Sequence, residues 1–282
     1  MKELINHITS QLLSCYPEDE ASSLAWWIVE EETGLSRSQL LSGCKVTTNF
    51  PNLQEIVERL LHFEPIQYIF GHTLWCGLDL KVTPATLIPR PETAELVEKV
   101  ERLNVKGERI KLLDIGTGSG CIAIALKKAH PEWQVTGIDI SEEAIEVAKE
   151  NALRNGVEVD FRVADIFDSN EDFITFHNSP FTIVVSNPPY IRESEKADMR
   201  RNVLDFEPAT ALFVSDNDPL KFYRRIAELH LGQHIFFEAS EFFADEIGEI
   251  LQNQGYTDIA IQQDIYGKPR IVSGKADWSN FK

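Results

Sequence analysis

The segment Asn187-Pro188-Pro189-Tyr190 restricts the chemistry of this chain more than any other stretch. It follows an apolar run at residues 181–185 and combines a side-chain amide, two prolines that fix the backbone, and an aromatic ring. The pattern predicts a rigid corner at the end of a buried strand. A planar group could lie against Tyr190 while its N–H groups donate to the Asn187 side-chain oxygen and the Pro188 carbonyl. Such a corner suits chemistry on an amide or amine nitrogen.

A glycine loop lies upstream, between a predicted strand at residues 110–114 and an apolar helix at residues 121–128. The loop residues are Ile115, Gly116, Thr117, Gly118, Ser119 and Gly120. Glycines let the backbone approach a ligand closely, and the start of the helix presents free N–H groups to it. The next predicted strand ends in Asp139, an acid that could accept both hydroxyls of a ribose. The D-x-G-x-G-x-G spacing favours S-adenosylmethionine over a nicotinamide cofactor, because dinucleotide sites use GxGxxG.

Two further segments could border the same site. A third predicted strand, at residues 158–163, is followed by Asp165, Ile166 and Phe167, an acid and apolar side chains that could bind an adenine amino group and ring. Alone, Asp165 fits a turn or helix cap better than an adenine contact, but the carboxyl ends of parallel strands share one crevice, which favours the contact. Residues 83–93 contain three prolines, which hold Arg90 and Glu92 on an extended backbone. This segment is either a site wall or a plain linker.

The elements that position these residues divide the chain into three parts. Residues 1–63 read as short amphipathic helices, most clearly at residues 52–63, which predicts a small helical domain that positions a partner or the larger domain. Our hypothesis is that this domain recognises the substrate. Residues 64–93 read as a connector made of a strand pair, beginning with a strand over Ile66, Tyr68 and Phe70, and the proline-rich segment. Residues 94–282 alternate strands and helices, which predicts an α/β domain with a Rossmann-like sheet.

Composition excludes several classes of protein. The chain of 282 residues is 43% hydrophobic and carries a net charge of −18, which repels a phosphate backbone. Its apolar runs fall well below the roughly 18 residues of a membrane span, and its first residues do not resemble a secretory signal. The four cysteines are widely spaced without a CxxC pair, so neither a zinc site nor a disulfide framework is predicted. A reducing cytoplasm is the expected setting.

The motifs together closely resemble the bacterial peptide chain release factor glutamine methyltransferases. The resemblance spans nearly the whole chain, and its narrowest feature is PRPET between a helical domain and the glycine loop. The matching segments are EPIQYIFG at 64–71, LIPRPET at 87–93, DIGTGSGCIAIAL at 114–126, NPPY at 187–190, EPxxAL at 207–212 and DxxGxxR at 264–270.

The resemblance implies a class I S-adenosylmethionine-dependent methyltransferase fold and transfer of a methyl group to the amide nitrogen of the glutamine in a release factor's GGQ motif. The implied product is S-adenosylhomocysteine, and no metal takes part. Implied cofactor-binding residues are Asp114, Gly116, Thr117, Gly118, Gly120, Asp139, Asp165, Ile166 and Asn187. Implied catalytic residues are Asn187, Pro188 and Tyr190, and implied substrate-binding residues are Asn187, Pro188, Pro189, Tyr190, Arg90, Glu92 and Glu207.

The family would act in translation termination as a cytoplasmic monomer, with release factors as partners and no direct contact with nucleic acid or membrane. This chain departs from the family at two points. Many members have an aromatic residue where this chain has Ile166, so stacking on adenine would pass to Phe167 or be lost. Ala94 follows Thr93 where PRPETE is usual.

Two other functions remain open on sequence grounds. NPPY also suits an exocyclic amino group of adenine or guanine flipped from a nucleic acid, although the net charge opposes this. The chain could also be a non-catalytic nucleoside-binding or assembly module, which an intact NPPY makes the weaker reading.

Overall fold

A computed structural model of the chain describes residues 1–44, 50–103, 110–168 and 181–276. Two compact units divide the chain: Met1–Gly71 with Arg200–Phe206, and His72–Met199 with Glu207–Lys282. None of the helices in the described ranges is long and apolar enough to cross a membrane. The helices of the first unit are α1 (Lys2–Leu12), α2 (Glu18–Thr33), α3 (Arg37–Leu41), α4 (Leu53–Leu61), α5 (Ile66–Phe70) and, from the later segment, α9 (Arg201–Leu204).

The first unit is helical, as the apolar spacing predicts. In α4 the residues Ile56, Val57 and Leu60 are buried, which is the face that the spacing of three and four residues marks out. They pack in one cluster with Ile8 of α1 and Ile28 of α2. A buried apolar stripe on each helix is therefore what holds this unit together.

The predicted strand over residues 66–70 is wrong, because these residues form the helix α5. Pro65 precedes the first turn, and its carbonyl accepts from the backbone N–H groups of Tyr68 and Ile69 at 2.9 and 3.1 Å. Ile66 and Phe70, four residues apart, both contact the helical core. A run of five residues is too short for its apolar pattern to separate a period of two from one of 3.6.

The second unit alternates strands and helices around one sheet. Its strands are β1 (His72–Trp75), β2 (Leu78–Lys81), β3 (Lys111–Ile115), β4 (Gln134–Asp139), β5 (Asp160–Val163), β6 (Phe181–Ser186), β7 (Ile191–Arg192), β8 (Phe213–Val214), β9 (Gly232–Glu238), β10 (Tyr256–Gln263) and β11 (Pro269–Ala276). Its α-helices are α6 (Pro91–Glu101), α7 (Cys121–Ala129), α8 (Glu142–Asn155), α10 (Ala209–Leu212), α11 (Lys221–Glu228) and α12 (Ala244–Asn253), and Glu193–Asp198 forms a 3₁₀ helix.

Within the described residues, seven strands pair in the order β10-β11-β9-β6-β3-β4-β5. All neighbours are parallel except that β11 runs antiparallel to both β9 and β10. The chain moves outward from β3 through β4 to β5, then returns to the other side of β3 with β6. The predicted Rossmann-like α/β fold is confirmed, and the reversal between β3 and β6 creates the crevice in which such sheets bind ligands.

Alternate residues of the central strands enter two separate cores. Leu112 and Ile183 pack with α6, α7 and α8 on one face of the sheet. Leu113 and Val184, their neighbours in sequence, pack with α11 and α12 on the other face. Because both faces are covered, these strands are almost continuously apolar, which is why they were recognisable in the sequence.

The β1–β2 hairpin belongs to the second unit. Its two strands pair antiparallel over His72–Trp75 and Leu78–Lys81. The side chains of Trp75, Leu78 and Leu80 are buried in the core beside α6, α7 and α8. The Asn151 side chain of α8 also forms two hydrogen bonds with the backbone of Lys81: it accepts from the N–H at 2.6 Å and donates to the carbonyl at 2.9 Å. The hairpin is thus part of the α/β core.

Candidate active site

The glycine loop joins the end of β3 to the start of α7. Gly116 and Thr117 both donate their backbone N–H to the carbonyl of Ile138 at 2.9 Å, which ties the loop to the neighbouring strand β4. Gly118 has a φ of 54° and nothing within 4 Å of the position where a Cβ would stand. The space where a side chain would stand at Gly118 is therefore open, so a ligand could approach the backbone closely there.

Gly120 is required for packing. It caps α7 with a φ of 80°, and a Cβ there would lie 2.9 Å from the ring of Phe161. Since real Cβ contacts are longer, any other residue would push the loop off β5. This glycine does not line the cavity described below, and its function is to let the loop approach the sheet.

Asp114 supports the loop from within. It is fully buried, and Thr117 donates its hydroxyl to Asp114 Oδ2 at 2.6 Å. Burial raises the pKa of Asp114 to about 7, and the Thr117 hydrogen bond opposes that rise. Asp114 is not among the residues that line the cavity, so its contact with the loop is indirect.

Asp139, at the end of β4, binds two backbone segments at once. Its Oδ2 accepts from Gly118 N and its Oδ1 from Ser141 N, both at 2.9 Å. Burial raises its pKa, while these backbone donors oppose the rise. Asp139 lines the cavity, and each carboxylate oxygen keeps lone pairs for further donors.

Asp165, Ile166 and Phe167 follow β5 and all line the cavity. Asp165 Oδ1 accepts from Phe167 N at 2.9 Å, so the aspartate closes a turn as well as facing the cavity. Ile166 is buried in the core, whereas Phe167 is 45% exposed and contacts the ring of Phe222 edge to face at 5.4 Å. Phe167 and Phe222 provide the aromatic surface on this side of the cavity.

The Asn187-Pro188-Pro189 corner lies directly after β6. Ser186, the last residue of the strand, donates its hydroxyl to the carbonyl of Ile115 at 2.7 Å, which fixes the corner beside the glycine loop. All three corner residues line the cavity. The rigid strand-end corner that the sequence predicts is therefore present, and it faces the same space as Gly118 and Asp139.

A chain of hydrogen bonds runs behind the corner. Asn187 Nδ2 donates to Thr93 Oγ1 at 3.3 Å, and Thr93 donates to Glu238 Oε2 at 2.7 Å. Tyr190 donates its hydroxyl to Glu238 Oε1 at 3.3 Å. Burial raises the pKa of the Tyr190 hydroxyl, and the charge of Glu238 adds to the rise. Tyr190 reaches this network and does not itself line the cavity.

The proline-rich segment is held by Glu207. Glu207 Oε1 accepts from Arg90 Nη2 at 2.6 Å, and its Oε2 accepts from Ile88 N at 3.1 Å. The Glu207 side chain is 1% exposed and lies outside the cavity lining, as does Glu92, whereas Arg90 lines the cavity. Trp75 adds a hydrogen bond from Nε1 to the Arg90 carbonyl at 2.8 Å. The segment is therefore a fixed wall.

These segments enclose a cavity of about 460 Å³, within the range of small-molecule and cofactor sites. Among the described residues, no group of three or more His, Cys, Asp or Glu is arranged to hold a metal ion. Predicted site residues that line the cavity are Arg90, Gly116, Thr117, Gly118, Asp139, Asp165, Ile166, Asn187, Pro188 and Pro189.

Thr93 and Glu238 are the most informative residues that the sequence analysis missed. Thr93 is 3% exposed and Glu238 is 1% exposed. Glu238 is the last residue of β9, so the strand-tip argument that found Asp139 and Asp165 was also available for it. Further lining residues outside the prediction include Ile140, Ser141, Ala211, Lys221 and Phe222.

Comparison with known proteins identifies both parts of the chain. Residues 3–71 match the family described as PrmC N-terminal domain, and residues 93–209 match the Methyltransferase small domain. Among solved structures, the hMettl16 catalytic domain in complex with MAT2A 3'UTR hairpin 1 is similar at a TM-score of 0.56 and 16% identity, covering 95% of this chain and 91% of that one. Human methyltransferase 10 domain containing protein is similar at a TM-score of 0.51 and 18% identity, covering 71% of this chain and 90% of that one. At these identities the likeness shows the fold alone.

Sequence relatives are much nearer. A release factor glutamine methyltransferase from Bacteroides thetaiotaomicron is 40% identical over 97% of this chain and 99% of its own length. One from Flavobacterium psychrophilum is 40% identical over 96% of this chain and 98% of its own length. One from Bacillus subtilis is 33% identical over 96% of this chain and 96% of its own length. These matches cover nearly the whole length of this chain and of each relative, so this chain belongs to the release factor glutamine methyltransferase family.

Proposed function

We propose that this chain transfers a methyl group from S-adenosylmethionine to the side-chain amide nitrogen of the glutamine in the GGQ motif of peptide chain release factors. The observation that carries the proposal is the orientation of Asn187. Its Nδ2 is engaged by Thr93, while among the described residues no hydrogen bond engages its Oδ1 beside the cavity. A rigid acceptor oxygen is what an amide N–H requires.

The residues around the cavity fit S-adenosylmethionine. The backbone at Gly116 and Gly118 suits its methionine part, because both glycines line the cavity and no side chain fills the space beside them. Asp139 retains acceptor capacity for the ribose hydroxyls, and Asp165 for the adenine amino group. Phe167 is the exposed aromatic side chain available to cover the adenine. When bound, S-adenosylmethionine supplies an electrophilic methyl group on a sulfonium.

The protein's part in the reaction is orientation. An amide nitrogen is a poor nucleophile, because its lone pair is delocalised into the carbonyl. Asn187 Oδ1 and the Pro188 carbonyl would each accept one N–H of the glutamine amide, which directs the nitrogen lone pair toward the methyl carbon. With S-adenosylmethionine bound, the N–C bond would form as the S–C bond breaks, and the methylated nitrogen would then release a proton to solvent. No strong base is required, in keeping with a corner that contains no Asp, Glu or His.

The proposal implies a setting for the protein. Release factors act in the bacterial cytoplasm during translation termination, so the chain would work there, as a monomer and without a metal. The net charge of −18 disfavours direct binding to nucleic acid. Sedimentation of the purified protein would test the monomer, and an excess of chelator should leave its activity unchanged.

The deciding experiment offers labelled S-adenosylmethionine to intact release factor, to the same factor with its GGQ glutamine replaced, and to DNA and RNA. We expect label on the intact factor alone. Label on nucleic acid would favour an amino-group methyltransferase acting on bases. Cofactor binding without transfer to any of the four would favour a non-catalytic nucleoside-binding module.

A further inference from the structure

The acid at the end of β9 is the strongest feature of the structure that the proposed mechanism does not use. Glu238 is 1% exposed, and each of its carboxylate oxygens accepts one hydroxyl, from Thr93 at 2.7 Å and from Tyr190 at 3.3 Å. A buried carboxylate is costly unless it is hydrogen-bonded or paired. Its position behind Asn187 and Tyr190 therefore calls for a functional explanation.

The chain of hydrogen bonds through Thr93 has a fixed direction. An ionised carboxylate only accepts, so the Thr93 hydroxyl must give its proton to Glu238. The Thr93 oxygen has then given away its only proton and can only accept a further hydrogen bond. The Asn187 group that lies 3.3 Å from this oxygen must therefore be the NH₂ group, which donates. The Asn187 carbonyl oxygen is thereby turned to the opposite side.

This direction matters because the two ends of an amide have nearly the same shape. Rotation of the Asn187 side chain by about 180° would fill the same space while exchanging an acceptor for a donor. A donor aimed at the N–H groups of the methyl acceptor would repel them. We propose that Thr93 and Glu238 are positioning residues that hold the Asn187 amide with its oxygen toward the methyl acceptor, an inference that rests on the proposed function.

The same carboxylate also fixes the aromatic side of the corner. The Tyr190 hydroxyl donates to the second Glu238 oxygen, and Tyr223 donates to the Glu238 backbone carbonyl at 3.0 Å. Arg270 donates from Nη1 to the carbonyl of Ala239, the next residue, at 3.1 Å. One buried acid thus holds both the Asn187 amide, which lines the cavity, and the Tyr190 ring behind it.

The charged state of Glu238 depends on opposing contributions. Burial raises its pKa, while the Thr93 and Tyr190 hydroxyls and the nearby Arg270 favour the ionised form. Protonation would let Glu238 donate to Thr93, and the hydrogen bonds from Asn187 through Thr93 to Glu238 would then no longer have a fixed direction. Titratable or charged groups that interact with Glu238 are Tyr190, Tyr223, Arg270, Glu92 and Cys121.

The test compares Thr93→Val with Thr93→Ser in the full chain. Valine keeps the shape of threonine without its hydroxyl, and serine keeps the hydroxyl. For Thr93→Val we expect a kcat on intact release factor about ten-fold or more lower, which corresponds to ~1.4 kcal/mol, the scale of one hydrogen bond. The KM for release factor and the Kd for S-adenosylmethionine should stay within about three-fold, because valine keeps the shape of the Thr93 side chain where it lines the cavity. Thr93→Ser should restore kcat to within about three-fold of wild type, because its hydroxyl can again accept from Asn187 and donate to Glu238.

A second variant gives an independent measurement. The kcat of the wild-type enzyme should fall as pH drops through the raised pKa of Glu238. Glu238→Gln cannot titrate at this position, so its kcat should be lower than that of the wild type at neutral pH and should not show this fall at acid pH, the acid limb of the profile. The inference is overturned if Thr93→Val matches wild type, if Thr93→Ser is as slow as Thr93→Val, or if the acid limb survives in Glu238→Gln. A wild-type enzyme that does not methylate the GGQ glutamine would instead overturn the proposed function.

Discussion

The Asp139 side chain lines the cavity and also holds the glycine loop in place. Both of its oxygens accept backbone N–H groups, from Gly118 on the glycine loop and Ser141 at the start of α8. The residue that would bind the ribose therefore also sets the shape of the loop beside it. A substitution here removes two functions together.

Replacing Asp139 with asparagine should weaken S-adenosylmethionine binding by about ten-fold or more, because the amide group turns one acceptor into a donor facing a backbone N–H. Isothermal titration calorimetry measures the change. Asp160→Asn is a matched control, since Asp160 is exposed on β5 and outside the cavity lining. Equal affinity of the Asp139 variant and wild type would remove Asp139 from the cofactor site.

Asn187→Ala should abolish methyl transfer while leaving the Kd for S-adenosylmethionine within about five-fold, because the amide orients the acceptor and contributes little to cofactor affinity. Single-turnover transfer and calorimetry separate the two effects. Asn217→Ala, an exposed asparagine outside the cavity lining, should retain both. A large loss of cofactor affinity in Asn187→Ala would mean that this side chain binds the cofactor directly.

At the scale of elements, the proline-rich segment forms a wall of the cavity because Glu207 holds it. The sequence resemblance assigned Glu207 to substrate binding, yet its carboxylate is occupied by Arg90 and by the backbone of Ile88. These contacts stiffen the residues that precede α6. We expect Glu207 to affect the site mainly through this segment.

Glu207→Ala should lower the free energy of unfolding by about 2–4 kcal/mol, because it leaves Ile88 N without its acceptor and Arg90 without its partner. Urea unfolding followed by circular dichroism measures the loss. Glu146→Ala, which breaks an exposed pair with Lys149, should cost less than about 1 kcal/mol. Equal losses in the two variants would show that the Glu207 contacts do not stabilise the fold.

Much of the site was predictable from strand order. Asp139, Asp165 and Asn187 each follow a predicted parallel strand, and the structure brings all three to one cavity. Glu238 obeys the same rule but was missed, since a single acid at a strand end gives no sign of its partners. Thr93 lies 94 positions from Asn187, and only tertiary packing brings the two together. The helix α5 was missed because its five residues fit two periods.

At the scale of the whole molecule, the boundary of the α/β unit falls before the β1–β2 hairpin. The hairpin side chains Trp75, Leu78 and Leu80 are buried in the core of the sheet unit. A chain cut after the hairpin would expose that core. A chain cut before it would leave the core complete.

A chain beginning at His72 should therefore fold and bind S-adenosylmethionine, but transfer methyl groups to release factor poorly if the helical unit recognises that partner. A chain beginning at Thr83 should lose the hairpin and with it the cooperative unfolding transition. Calorimetric unfolding, cofactor titration and transfer assays distinguish the two. Full transfer by the His72 chain would exclude substrate recognition by the helical unit.

The buried Asp114 makes stability depend on pH. Its pKa is raised to about 7, so between pH 4 and 7 the folded protein keeps a proton that the unfolded chain has lost. This residue's contribution to stability therefore falls as pH rises through that window. Urea unfolding of the cofactor-free protein should give a wild-type stability that drops by about 2 kcal/mol relative to Asp114→Asn from pH 5 to 8. A constant difference between the two proteins would mean that Asp114 does not titrate there.

The hydrogen bond between Thr93 and Glu238 joins residues 145 positions apart, which has a consequence for the order of synthesis. A growing chain that has passed the turn after β5 already contains the glycine loop, Asp139 and Asp165. The acid that orients the acceptor amide is translated much later, in β9. We therefore expect a nascent chain to contain the residues for the ribose and adenine well before it contains the acid that orients the acceptor amide. Competence for transfer would come only when its own translation is almost finished.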